Sequence, residues 1–224
     1  MSWRLNNARG RVGHDGSPPE PSPPSNRIVA SVADTPAELE AVQAFRYRML
    51  KDAGRMTDEP CLDHERGLHR DPLDHRLLVI YARDHEGIVG TFRWGISDWT
   101  SGNDPSPDRI LSVARTFESV RRSRVGRSDR LVIDPGRSGR HAATSLFSLG
   151  LQIAIDARCR FDVCWCVPSL TRFYKRLGYE PLDLTLESAD GRPMTALILD
   201  LADLDGLTRR RSPLARFIRR RDVA

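Results

Sequence analysis

Between Ile133 and a helix-forming run lies Asp134-Pro135-Gly136-Arg137-Ser138-Gly139-Arg140-His141-Ala142-Ala143, a stretch whose chemistry would rest on its backbone. Amide N–H groups gathered in a Gly-containing loop at a helix N-terminus can hold phosphate oxygens. Gly136, Arg137, Ser138, Gly139 and Arg140 are therefore candidates to grip a phosphate-bearing ligand. Cys164 and Cys166 alternate along an apolar run and would share one face of a strand. No His stands near them in the sequence to generate a thiolate, so a covalent intermediate on either sulfur is not expected. With Cys61 and Cys159 they lack paired CxxC spacing, which predicts buried thiols in a reducing compartment, with neither disulfide nor zinc. Tyr174, four residues before Gly178, admits two readings, because a core Tyr ahead of a Gly helix stop serves packing as well as proton donation.

The elements that must position these residues are readable from pattern. The 224 residues fit one domain with tails,. At 39% hydrophobic and 29% charged, the composition is that of a globular protein, and no apolar run reaches the length of a membrane span,. Residues 1–26 are rich in Pro, Gly, Ser and Asn, lack a signal-peptide core and are predicted to be disordered. The domain is expected over 27–205, followed by a basic tail at 206–224. Strands are predicted at 28–33, 77–81, 88–96, 130–133, 161–167, 179–187 and 194–200, the second and third turning at Asp84-His85-Glu86-Gly87,. A helix begins at Thr35-Pro36-Ala37-Glu38, with Pro at the first helical position, and runs to about Asp52,. Weaker helical spacing covers 61–68 and 110–120, a long helix 138–157, and a short one 169–177 closed by Gly178. The net charge of +5 is almost all arginine, clustered at Arg121, Arg122, Arg124, Arg127 and Arg130 and again from Arg209 to Arg221, which favours acidic partners.

This element order resembles the GNAT acyltransferase fold, an α/β (α+β) architecture with a central mixed twisted sheet flanked by helices. Tyr174-Lys175-Arg176-Leu177-Gly178-Tyr179 resembles that family's Tyr-x-x-x-Gly-aromatic segment, which implies a Tyr174 hydroxyl that protonates the departing thiolate. The loop after Ile133 stands where the fold's pyrophosphate loop lies. It has Ser138 for the family's Arg and His141 for a Gly, which favours a donor with a single phosphate. Over about 32–182 the chain further resembles the acyl-homoserine lactone synthases and the related N-acyl amino acid synthases, which use acyl carrier protein thioesters. Phe45-Arg46-Tyr47-Arg48-Met49-Leu50 is similar to their Arg-rich first-helix motif, Asp71-Pro72-Leu73-Asp74 to their Asp-x-x-Asp, and Gly90-Thr91-Phe92-Arg93 to their Gly-x-x-Arg; Arg130 matches the Arg opening their fourth strand. The resemblance implies an acceptor site built from Arg46, Asp71, Asp74, Arg93 and Arg130. Two departures stand out: Leu50 replaces an aromatic, and Arg127 replaces a Glu proposed as a base. Asp129, next to Arg130, cannot take that place, because adjacent strand residues point to opposite faces.

The function so implied is an N-acyltransferase moving a fatty acyl group from an acyl carrier protein, or acyl-CoA, thioester to the amine of an amino acid or related small molecule. Arginines suit an amino acid's carboxylate, which they can grip with two parallel N–H donors. Asp71 and Asp74 would orient the ammonium, Arg46 and Arg93 would anchor those acids or the acceptor's carboxylate, and Tyr174 would serve the leaving thiolate. The backbone N–H groups of Leu131, Val132 and Ile133 would hold the thioester oxygen. No tightly bound cofactor and no metal are expected. The implied partners are an acidic acyl carrier protein and a small amine, with peripheral membrane contact through the basic tail as a further candidate, no nucleic acid, and a cytoplasmic location. An acetyltransferase using acetyl-CoA and a non-catalytic acyl- or partner-binding protein remain alternatives.

Overall fold

The computed structural model describes residues 27–54, 61–96, 120, 123–137, 139–188 and 191–219. The expectations for 1–26, for a helix at 110–119 and for Ser138, Arg121, Arg122, Arg220 and Arg221 lie outside the described residues. Strand β1 (Val29–Val32) leads into helix α1 (Pro36–Asp52). The helix starts where its cap chemistry dictates: the Thr35 hydroxyl accepts from the Glu38 N–H at 3.2 Å while the Glu38 carboxylate accepts from the Thr35 N–H at 3.0 Å,. Glu38 also accepts from the Tyr81 hydroxyl at 2.9 Å, tying the helix start to the sheet. Val42 and Phe45 bury the inner face of α1. Arg46, one turn after Val42, is carried into the core on the same face, 1% exposed,.

The predicted helix at 61–68 is instead a hairpin of β2 (Leu62–Asp63) and β3 (Leu68–His69). Asp63 accepts from the Arg66 N–H at 3.1 Å and Gly67 takes φ 65°, so turn chemistry overrides the helical spacing. A 3-10 turn (Pro72–His75) follows, then β4 (Leu78–Asp84) and β5 (Gly87–Ile96), joined by the expected tight turn. Next come β6 (Val125–Ile133), helix α2 (Gly139–Asp156), β7 (Phe161–Cys166), a 3-10 turn (Pro168–Leu170), helix α3 (Thr171–Leu177), β8 (Glu180–Glu187), β9 (Pro193–Asp200), and helices α4 (Leu204–Arg209) and α5 (Ala215–Arg219). β6 starts five residues before the predicted Arg130, because Gly126, Arg127 and Asp129 hide a strand behind polar residues whose partners are also buried.

The seven-stranded sheet has the order β1-β4-β5-β6-β7-β9-β8, and only β6 with β7 is a parallel pair. That pair ends at Ser128 with Cys164. β6 continues through 129–133 along β5 alone, so the two strands part and the sheet opens between them. Helix α2 covers one face through Ala142, Ala143, Leu146, Phe147, Leu151 and Ala154, packing on Ile80, Phe92, Trp94, Cys164 and Leu197. Helix α1 lies on the other face over Val79 and Tyr81.

The segment expected as a basic tail begins by completing the core. Leu207 and Leu214 are 0% and 1% exposed within the cluster under α2, and the Ser212 hydroxyl donates to the Leu177 carbonyl at 2.5 Å. Ala215 belongs to the same cluster and Phe217 packs against it, so these described apolar side chains face the core and lend no support to peripheral membrane contact. Among the described residues no helix is long and apolar enough to cross a membrane.

Candidate active site

Five side chains that the sequence singles out meet on the α1 face of the sheet. Arg93 on β5 is the hub: its Nη1 contacts Asp71 Oδ1 at 2.8 Å and Asp74 Oδ1 at 3.3 Å. Its Nε and Nη2 grip the two oxygens of Asp129 at 2.7 and 3.0 Å. Arg46 Nη1 from α1 donates to both oxygens of Asp74 at 2.8 Å, and Arg130 Nε reaches Asp71 Oδ2 at 2.8 Å. Both carboxylates come from one short turn. Asp71 is its N-cap, accepting from the Leu73 N–H at 2.9 Å, and Pro72 occupies the first helical position,.

Asp129 belongs to this network, contrary to the strand-alternation argument. β6 carries one residue more than β5 where Thr91 pairs with Val132 and Arg93 with Asp129, and Arg130 sits at φ 54°. This is a β-bulge, which turns two successive residues to the same side. Sequence reasoning saw Asp129 and set it aside; only the bulge brings it in. Arg127, noted there as the loss of an acid, now clamps Asp129 Oδ2 through Nε and Nη2 at 3.1 and 2.7 Å and lies 4.8 Å over the Trp165 ring.

The electrostatics follow from burial and charge. Burial opposes ionisation at Asp71, but Arg93 and Arg130 outweigh it and hold the carboxyl well below the usual range. Asp129 is lowered in the same way, with burial overcome by Arg93 and then Arg127,. Such acids are poor proton acceptors at neutral pH and act as fixed negative charge. Arg46 differs: burial lowers its pKa in spite of Asp74. Its Nε and Nη2 are buried and have no hydrogen-bond partner among the described residues. Those two nitrogens form the side edge of the guanidinium, a ready fork for a carboxylate.

The other expected residues lie elsewhere. Leu131, Val132 and Ile133 stand on the stretch of β6 beyond its pairing with β7. Gly136 N–H is taken by Asp134 Oδ1 at 2.9 Å, and Arg137 is paired with Asp84 and, at 3.3 Å, with Glu86 of the β4–β5 turn. Gly139 opens α2 beside Ile133, and Arg140 follows it in the first turn. Tyr174 is on the α2 face, 4% exposed, with its ring edge-on to Phe147, Phe173 and Tyr179. Burial pushes its phenol well above the ordinary value, so it holds its proton. The same cause, with Asp162 second, raises the Cys164 thiol, and all four cysteines are free thiols. The acid network and Tyr174 thus flank the sheet from opposite faces.

Residues 41–196 match the family described as N-acyl amino acid synthase FeeM. The fold is similar to that of FeeM, an N-acyl amino acid synthase from uncultured soil microbes, with TM-score 0.62 and 18% identity over 85% of this chain and 98% of that one. It is also similar to the AHL synthase LasI, with TM-score 0.58 and 12% identity over 78% and 90%. The CoA-dependent acyl-homoserine lactone synthase MesI gives TM-score 0.55 and 17% identity over 88% and 96%. No curated protein matches the chain by sequence. At these identities the structural likeness shows the fold alone, the mixed sheet and flanking helices of GNAT acyltransferases.

Proposed function

We propose that this chain, which belongs to the N-acyl amino acid synthase FeeM family and is an N-acyltransferase, joins a fatty acyl group from a carrier thioester to the amine of an amino acid. The observation that carries the acceptor class is the Arg46 edge. A buried donor without a partner costs about 1–3 kcal/mol, and Arg46 leaves two, Nε and Nη2, side by side. A carboxylate satisfies both with parallel bonds, whereas an alcohol or a plain amine does not.

The acceptor's ammonium lies against Asp71, at the edge of the network where Arg130 keeps 35% of its side chain exposed. Water removes one proton from the ammonium, since Asp71 is held too acidic to do so. The amine nitrogen then attacks the thioester carbonyl in the gap between β6 and β7. The oxyanion is met by backbone N–H groups at Leu131 to Ile133. As the intermediate collapses the C–S bond breaks, Tyr174 gives its proton to the sulfur, and the phenolate regains a proton from the nitrogen, now an amide. The donor is an acyl carrier protein thioester in preference to acyl-CoA. Its arm needs one phosphate seat at the start of α2, and the arginine-rich surface attracts an acidic carrier.

Steady-state kinetics on matched acceptors, with each donor at low and high salt, test this. An amino acid should exceed its decarboxylated amine in kcat/KM by about 10- to 150-fold, the worth of a charged hydrogen-bonded pair. Arg46→Lys should erase most of that ratio by raising KM for the amino acid alone. Equal use of the two acceptors by the unaltered enzyme would remove the carboxylate reading, and a carrier preference indifferent to salt would remove the surface argument.

A further inference from the structure

On the opposite face of the sheet from the acid network sits a carboxylate of a different kind. Asp162 on β7 is 3% exposed, and among the described residues no cation pairs with it. Three neutral donors, from two strands and the link between α3 and β8, hold it instead. Trp94 Nε1 on β5 donates to Oδ1 at 3.0 Å, while Ser128 Oγ on β6 and the Tyr179 hydroxyl donate to Oδ2 at 2.8 and 2.6 Å. Room for this cluster is made by Gly126, the residue opposite Asp162 in the β6–β7 ladder. A Cβ there would come within 2.8 Å of Asp162 Oδ1 and 2.9 Å of Trp94 Nε1.

The cluster has a direction. Ser128 is the last residue of β6 paired to β7 before the strands part, so Oδ2 joins the lip of the gap to Tyr179. Gly178 at φ 109° turns the chain so that Tyr174, in the middle of α3, and Tyr179 meet edge to face, with centroids 5.4 Å apart and planes at 88°. Phe147 is edge-on to both rings, at 5.9 and 6.3 Å. With its hydroxyl tied to Asp162, Tyr179 fixes one wall of the slot in which the Tyr174 ring stands. Burying a carboxylate without a cation is costly, and packing alone would be served as well by Asn or Leu.

We propose that Asp162 is a positioning residue: through Tyr179 it holds the Tyr174 hydroxyl at the gap between β6 and β7, where that hydroxyl protonates the departing thiolate. This inference rests on the reading of Tyr174 given above. The bonds it concerns are the C–S bond that breaks and the S–H bond that forms with the phenol's proton.

The test measures kcat and KM on two thioesters of the same acyl group, one of pantetheine, whose alkyl thiolate needs a proton to leave, and one of thiophenol, whose thiolate does not. Tyr174→Phe should slow the pantetheine ester about 100-fold and the thiophenyl ester only a few-fold. Tyr179→Phe and Asp162→Asn should each lower kcat about 10-fold on the pantetheine ester, an intermediate fraction of the Tyr174 effect, with KM and the thiophenyl rate near the unaltered enzyme's. The double variant Tyr174→Phe/Tyr179→Phe should be no slower than Tyr174→Phe, since Tyr179 acts only through that hydroxyl. If Tyr179→Phe slows both esters alike, or its effect adds in full to that of Tyr174→Phe, the positioning role is overturned while Tyr174 stands. If Tyr174→Phe itself shows no preference between esters, the Tyr174 reading fails first. Tyr179→Phe keeps the ring and its packing, so the test holds even where Asp162→Asn does not fold.

Discussion

Asp162 is held above the ordinary carboxyl range, the reverse of Asp71 and Asp129. Burial pushes it up to about 6, against its hydrogen bonds from Tyr179, Ser128 and Trp94. Below the ordinary carboxyl value it is neutral in both folded and unfolded chains. Between about 4 and 6 the unfolded chain ionises while the folded one resists, so stability falls as pH rises through that window and levels off above it. Asp162→Asn removes this titration and leaves Asp71 and Asp129, whose lowered values act in the opposite sense at lower pH, in both proteins. Urea unfolding from pH 4 to 7 should show the unaltered protein losing on the order of 2–3 kcal/mol relative to the variant; parallel curves would contradict the assignment. The motifs shared with the resembled family pointed to Arg46, Asp71, Asp74 and Arg93 as one cluster, with Arg130 added by its match to a single Arg of that family. They were no guide to Asp162, a lone Asp in an apolar run, since its partners Trp94, Ser128 and Tyr179 are scattered over 86 positions of chain.

The 3-10 turn from Pro72 to His75 is the element that carries the most chemistry per residue. Asp71 caps it and Asp74 lies inside it with a fully buried side chain, 0% exposed, between Arg46 and Arg93. Asn caps a turn as well as Asp does, so Asp71→Asn should keep the fold while losing the charge that faces the acceptor's ammonium. Turnover should fall at least 100-fold with a melting temperature within a few degrees of the unaltered protein. Asp74→Ala strands the buried Arg46 guanidinium, while Arg93 keeps Asp71 and Asp129, and should cost about 3–5 kcal/mol in urea unfolding,. Wild-type turnover in the first variant, or wild-type stability in the second, would sink this division of labour. Tight turns and caps were legible because their determinants are adjacent in sequence, as at Thr35-Pro36-Ala37-Glu38. The bulge at Arg130 was not, because it depends on the register against Arg93, 37 positions earlier, and the hairpin at Leu62–His69 was masked by helical spacing.

At the scale of the whole molecule, the core is closed by its last described elements. The seven strands were readable from alternation and turn residues, but the docking of α4 and α5 was hidden by composition, since Leu207 and Leu214 are interspersed with Arg209, Arg210 and Arg211. Ending the chain at Asp205 should remove about 3–6 kcal/mol of burial from those two leucines alone. Circular dichroism melts should then show a lowered or uncooperative transition, and an unchanged melt would return the segment to the status of a tail. The same arrangement orders events on the ribosome. Synthesis runs from the N-terminus, so all seven strands emerge while the space beside Gly178 that Leu207 fills is still open. A nascent chain at that stage displays the apolar floor of α2 and β9 to its surroundings, and the interval in which it is open to chaperone capture or aggregation ends only when α5 is delivered.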